Sequence, residues 1–157
     1  MATLRRATPA DAEALTRLRG FMHEAMGDVL TDEWRVRCVD AFRRRLGADD
    51  FVAFLVEDGE VVSGGAGWLE EHLPSPYQLD ARRGHIASMS TDPAYRRNGY
   101  GRLVFEALLG WFDERGVVRI DLRATPDGQP LYEAFGFRQL GGATMAWTAA
   151  GNRPGMR

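Results

Sequence analysis

Apolar positions recur at helical spacing in three stretches of the chain. Leu15, Leu18 and Met22 form the first stripe, and Thr8-Pro9-Ala10-Asp11 ahead of them carries a helix start: a capping threonine, proline at the first helical position and an acid at the third. Thr31-Asp32-Glu33 is a second start, followed by Trp34, Cys38, Phe42 and Leu46 at four-residue steps, with Gly47 expected as the left-handed stop. From Arg102 to Arg115, Val104, Leu108 and Trp111 make one stripe that Leu109 and Phe112 widen, and Gly116 ends it. Elsewhere the pattern is that of strands. Leu4 to Ala7 is a short one; Phe51 to Glu57 and Val61 to Trp68 are aromatic and β-branched around the turn pair Asp58-Gly59, which predicts a hairpin. His85 to Thr91 is a further strand, stopped by Asp92-Pro93, and Val117 to Leu122 alternates as another. Pro130 to Phe135 predicts a short helix ended by Gly136, and Ala143 to Trp147 a last strand. The expected order is β-α-α-β-β-β-α-β-α-β, a mixed α/β chain without internal repeats.

Two irregularities stand out. Gly64-Gly65 and Gly67 sit inside a predicted strand, which suggests a bulge or a bare backbone that something approaches closely. Glu70 to Gly84 is polar, holds Pro74 and Pro76 and shows no periodicity, so it is expected as a binding loop or lid. The 157 residues suit one domain, taken as 1–148, with a frayed tail over 149–157. Twenty Lys+Arg against 22 Asp+Glu argue against bulk nucleic-acid binding, which needs uncompensated phosphate contacts. The Arg43-Arg44-Arg45 run is accordingly expected on a solvated face. The longest wholly apolar run, Phe51 to Val56, is far too short to span a bilayer and no apolar leader follows the first residues, so a cytoplasmic location is expected. Cys38 is the one cysteine, and no Cys/His cluster has metal-ligand spacing, so no metal is expected.

The chemistry concentrates in Thr91-Asp92-Pro93-Ala94-Tyr95-Arg96-Arg97-Asn98-Gly99-Tyr100-Gly101-Arg102. A strand stops, a basic loop with two glycines follows, and a long apolar helix begins. Glycines allow positive φ, successive amides converge on the positive end of the helix dipole, and three arginines add counter-charge, so a pyrophosphate fits without a metal. A phosphate loop of the Gly-x4-Gly-Lys type lacks its lysine here. A Gly-x-Gly-x-x-Gly dinucleotide fingerprint lacks its third glycine, where Val104 stands. Arg-x-x-Gly-x-Gly matches in full.

On Arg96-Arg97-Asn98-Gly99-Tyr100-Gly101, and on Leu131-Tyr132-Glu133-Ala134-Phe135-Gly136-Phe137 behind it, the chain resembles the GCN5-related N-acetyltransferase superfamily. The resemblance covers nearly the whole chain and is strongest from Gly84 to Arg138. It implies a mixed, mostly antiparallel central sheet with splayed strands and helices on both faces. It also implies acetyl-CoA as co-substrate and a primary amine as acceptor: a small cationic amine such as a polyamine, an amino sugar or a drug-like amine, or a peptide amine. Dimers are common among such proteins, so a homodimer is compatible with the resemblance. The alternative reading is an acyl-CoA-binding sensor that keeps the cradle without turnover.

The resemblance further implies roles. Arg96, Arg97, Asn98, Gly99, Tyr100, Gly101 and Arg102 would hold the pyrophosphate. Met89, Ser90 and Thr91 would offer backbone groups to the pantetheine arm, with the amide at or beside Met89 facing the thioester oxygen. Tyr132 matches the tyrosine that protonates the leaving thiolate. The base is sought among Glu70, Glu71 and His85, with the glutamates ranked ahead: the acids end a strand where several relatives place a carboxylate, or equally recognise a cationic substrate, and histidine suits proton relay near neutrality. Strand parity puts His85, Ala87, Met89 and Thr91 on one face. Thr125 and Gly128 depart from the asparagine and alanine common seven and four positions before the tyrosine, so Thr125 replaces at most part of a cofactor contact. His23, Glu24 and His72 read as solvated, and Trp34, Trp111 and Trp147 as core; Phe21, Met22 and Met26 read first as packing. Trp68, on the strand that leads to the candidate acids, is the tryptophan placed to take part in the site.

Overall fold

The computed structural model describes residues 1–149 and 151, so the tail expected over 149–157 lies almost wholly outside the described residues. The chain divides into two compact units, Met1–Arg123 and the chain from Ala124 onward.

The first unit carries a five-stranded sheet in the order β1-β2-β3-β4-β5. Strands β1 (Thr3–Arg6), β2 (Phe51–Asp58), β3 (Glu60–Glu71) and β4 (Arg82–Thr91) pair antiparallel in turn, and β5 (Ile120–Leu122) joins β4 in parallel. The β2–β3 hairpin turns at Gly59, whose φ of +78° is why glycine follows Asp58 there. Nearly every residue of Phe51–Val56 is buried, as expected of a strand covered on both faces. Helices α1 (Ala12–Ala25) and α2 (Asp32–Arg45) lie on one side and α3 (Tyr100–Glu114) on the other. The β3 glycines show it: a Cβ on Gly64 would meet Leu15 and Leu18 of α1, and one on Gly67 would meet Phe112 and Leu108 of α3. The bare backbone expected there lets both helices pack close.

Local start signals behave as anticipated. The carboxylate of Asp11 accepts from the Thr8 amide at 2.7 Å and is held below the ordinary aspartate range, chiefly by its hydrogen bonds from Arg5. The first turn, Pro9–Asp11, is a 3-10 turn that runs into α1. The Thr31 hydroxyl accepts from the Trp34 amide at 3.1 Å.

Four expectations differ. Gly47 is not left-handed; α2 closes at Leu46, whose amide donates to Phe42. The polar stretch expected as a loop over Glu70–Gly84 is shorter at both ends: Glu70 and Glu71 pair with Arg83 and Arg82 across β3 and β4, leaving the loop over 72–81. Of Val117–Leu122, only Ile120–Leu122 is strand. The run Ala143–Trp147 forms no strand, and Trp147, expected in the core, is exposed.

Gly84, at the start of β4, is closely tied to the packing of α3. A Cβ there would lie 2.6 Å from Cε1 of fully buried Phe112. Gly84→Ala is therefore expected to cost about 1–3 kcal/mol by overpacking, read as a lower denaturation midpoint with unchanged m-value; an unchanged midpoint would mean that the Phe112 ring yields freely.

In the second unit, α4 (Gln129–Ala134) is a short helix whose chain exit turns at Gly136, φ +89°. Tyr132 packs against Phe137, ring centroids 6.4 Å apart.

Candidate active site

The loop between β4 and α3 has the conformation its sequence anticipates. Gly99 caps α3 in the left-handed region, φ +75°, and Arg97 two residues earlier has φ +68°. Left-handed residues at Arg97 and Gly99, with one residue between them, are of the kind that bends a run of successive amides into an anion nest. Arg97 accepts a strained conformation to do so. Asn98 braces the loop by donating from Nδ2 to the Tyr95 carbonyl at 2.9 Å. Among the described residues, no carbonyl accepts from the amides of Arg97, Asn98, Gly99, Tyr100 or Gly101. A Cβ on Gly99 would meet nothing within 4 Å, so the ground in front of the helix start is open. Arg96 and Arg97 are exposed beside it, whereas Arg102 pairs with Glu106 on its own helix at 3.1 Å. The hydroxyl of Tyr100 donates to Asp58 in the hairpin turn at 2.9 Å, which anchors the first turn of α3 and raises the phenol above its ordinary value.

Strand β4 supplies the adjoining feature. Among the described residues it pairs with β5 only from Gly84↔Ile120 to Ile86↔Leu122, and none of them pairs as a strand with that edge from Ala87 onward. Its register with β3 passes from Ala66↔Ala87 to Gly64↔Ser90, so two residues, Ser88 and Met89, oppose Gly65 alone. This is a β-bulge, with Ser88 at φ +61°. The extra residue reverses the alternation. Before it, His85 stacks on Trp68 on the α1/α2 face, ring centroids 4.8 Å apart. After it, Met89 fills the space over Gly65 on the α3 face, and Thr91 Oγ1 lies 2.8 Å from Ser63 Oγ and 3.7 Å from the Cβ position of Gly101. Ser90 turns back, donating to the Leu18 carbonyl of α1 at 2.6 Å. The parity reading that joined His85 and Ala87 to Met89 and Thr91 is thus corrected: an unforeseen bulge separates them.

On the α1/α2 face a ring of contacts surrounds Trp68. Its indole stacks on Phe51 at 5.9 Å, and the Arg45 guanidinium lies over both rings, 4.7 and 4.5 Å from their centroids, so Arg45 leaves the solvated face expected for its run. Trp68 Nε1 donates to Glu70 at 3.0 Å, and His72 Nε2 lies 3.0 Å from the other carboxylate oxygen. Those bonds, His72 foremost, hold the Glu70 carboxyl below the usual range, which makes it a weaker base and a firm anion. Glu71 falls on the opposite face by alternation and is exposed. The imidazole of half-buried His85 makes no hydrogen bond among the described residues.

Within the second unit, Tyr132 is buried, which pushes its phenol above the ordinary value and keeps it protonated. Both departures around it have local reasons. The Thr125 hydroxyl accepts from the Gly128 amide at 3.3 Å, and an alanine at 128 would press its Cβ to 3.0 Å from the Tyr132 ring. His23, read as solvated, is instead bonded to Asp28 at 2.9 Å and set edge-on to Trp34. Sequence reasoning missed the partners Asp58 and Arg17, each joined to its mate through the fold, and also His72, which bonds Glu70 two positions away. Among the described residues no group of His, Cys, Asp or Glu could hold a metal ion, and no helix is long and apolar enough to cross a membrane.

An anion nest at a helix start beside a bulged, half-paired strand defines a class of fold, and the comparisons agree. Residues 18–137 match the acetyltransferase (GNAT) family, and the chain belongs to it. Among solved structures it is similar to a predicted acetyltransferase from Clostridium acetobutylicum, crystallised with acetyl-CoA, at 22% identity over 93% of this chain and 96% of that one, TM-score 0.84. It is similar to a GCN5-related N-acetyltransferase from Ralstonia eutropha JMP134 at 26% identity over 94% and 99%, TM-score 0.80. It also matches glucosamine-6-phosphate N-acetyltransferase from Arabidopsis thaliana at 20% identity over 95% and 99%, TM-score 0.71. No curated protein matches it.

Proposed function

We propose that this chain is an N-acetyltransferase that moves an acetyl group from acetyl-CoA to a primary amine by direct attack. The observation that carries the reading is the set of amides from Arg97 to Gly101 at the start of α3, which meet no carbonyl acceptor among the described residues, next to a β4 edge that no described strand covers. The residues present fit the co-substrate: the nest suits a diphosphate, Arg96 and Arg97 add charge, and the free edge at Ser88–Thr91 suits the amides of a pantetheine arm. Acetyl-CoA would bring the acyl group as an activated thioester. The amide at or beside Met89 would stabilise charge on the thioester oxygen. An alkylamine is mostly protonated at neutral pH, so a base must accept its proton. His85 takes that role in our reading, because its nitrogens are uncommitted. Glu70, bound to Trp68 and His72, supplies a fixed negative charge that favours a cationic acceptor; Glu71 has no part on that face. Tyr132 is assigned as proton donor to the leaving thiolate on its Leu-Tyr-Glu motif and its protonated phenol.

The acceptor we favour is a small cationic amine, with a peptide amine as the further possibility; the solved relative from Arabidopsis is named for an amino-sugar phosphate. Release of free CoA thiol from acetyl-CoA, measured against polyamines, amino sugars, arylalkylamines and peptide amines, tests the reading. Turnover with at least one is expected; tight acetyl-CoA binding without release for any would leave a binding module. Tyr132→Phe should lower kcat by about a hundredfold or more with little change in acetyl-CoA affinity. Undiminished turnover would remove Tyr132 from the chemistry.

A further inference from the structure

Asp92 directly follows β4 and caps the 3-10 turn Pro93–Tyr95 that leads into the Arg96–Arg102 loop. It is 8% exposed, and its polar groups are fully engaged. Its amide donates to the Val62 carbonyl at 2.8 Å, its carbonyl accepts from Tyr95 at 2.8 Å, and Oδ1 accepts from the Ala94 amide at 3.0 Å, shaping the turn that leads into the loop. The same carboxylate places a buried negative charge four residues ahead of the Arg96–Arg102 loop. Oδ2 faces Arg17, which donates from Nη1 at 3.1 Å. The Arg17 guanidinium reaches across from α1, also donates from Nη2 to the Val61 carbonyl at 2.5 Å, lies 4.0 Å from Glu60, and packs 5.5 Å from the centroid of Phe21. A cation tied to β3 and to the residue just past β4 is held in place, and an acid required for turn geometry is neutralised where its field would otherwise oppose a diphosphate.

We infer that Arg17 is a positioning residue for the cofactor: by compensating Asp92 it keeps the loop from Arg96 to Arg102 receptive to a diphosphate. This rests on the coenzyme reading proposed above. It separates two features of Asp92, since the hydrogen-bonding shape serves the loop while the charge alone would harm binding. Asn at this position keeps an oxygen for the Ala94 amide and removes the charge.

Calorimetric titration with CoA, and steady-state kinetics with acetyl-CoA beside S-acetylpantetheine, which has no diphosphate, test the inference on the full chain. Arg17→Met should weaken CoA binding about tenfold, the effect of one uncompensated charge at partial burial. Asp92→Asn should bind CoA at least as well as the unaltered protein, and Arg17→Met/Asp92→Asn should recover most of the loss. Arg17→Lys, which keeps the charge, should stay within about threefold. The KM for S-acetylpantetheine should be unmoved throughout. Wild-type affinity in Arg17→Met, failure of Asp92→Asn to restore binding, or an equal loss with S-acetylpantetheine would overturn the inference while leaving the coenzyme reading intact. No CoA binding by the unaltered protein would sink both.

Discussion

Gly99→Asp is expected to abolish CoA binding while leaving the fold in place. Gly99 adopts φ +75°, and of the residues with a side chain, Asp and Asn enter that region most readily. A Cβ there meets no atom within 4 Å, and aspartate is a favoured residue at a helix cap. The stability cost should therefore stay within about 1 kcal/mol. The electrostatic cost to a ligand is much larger. A carboxylate roughly 5 Å from a diphosphate charge at an effective dielectric near 20 costs about 3 kcal/mol, more than a hundredfold in affinity. A thermal melt beside a CoA titration separates the two. A melt close to wild type with no detectable heat of binding is the expected pair; retained affinity would place the diphosphate elsewhere. Gly99→Ala, which brings backbone strain without charge, should weaken binding less.

Replacing His85 has the other large expected effect. With His85→Gln, kcat should fall about 10²–10⁴-fold, the usual contribution of a positioned base. The deficit should narrow as pH rises toward the ordinary amine value, about 10, because free amine then no longer needs a base. The fold should tolerate glutamine, since the half-buried imidazole gives up a stacking contact with Trp68 and no hydrogen bond. Glu70→Gln should act differently, raising the acceptor KM more than it lowers kcat, because Glu70 holds Trp68 and His72 in place. Full activity in His85→Gln together with loss in Glu70→Gln would transfer the role of base to Glu70.

What could be read from the chain was what lies within a dozen residues of itself. The Thr31 cap, the Asp58-Gly59 hairpin and the nest from Arg96 to Arg102 are contiguous, and each forms as its residues require. The Ala143–Trp147 run misled because a strand is a pairing, and a short apolar run does not supply a partner. Glu70-Glu71 looked like loop for the opposite reason: their suitability for a strand comes from Arg82 and Arg83 across the ladder. Arg17 and Asp92 lie 75 positions apart, and Tyr100 and Asp58 lie 42 apart, so neither pair could be seen before the sheet brought them together. The Gly64-Gly65 pair did announce irregular pairing, but the inserted residue belongs to the facing strand, at Ser88.

That inserted residue has a consequence for how such a chain can diverge. By switching outlook partway along β4, it assigns the residues ahead of it and those behind it to different sides of the molecule. Substitutions around Trp68 and His85 can therefore change one surface of the sheet while leaving Met89, Thr91 and the loop before α3 as they are. Loss of that one residue would merge the two surfaces, and neither could then change independently.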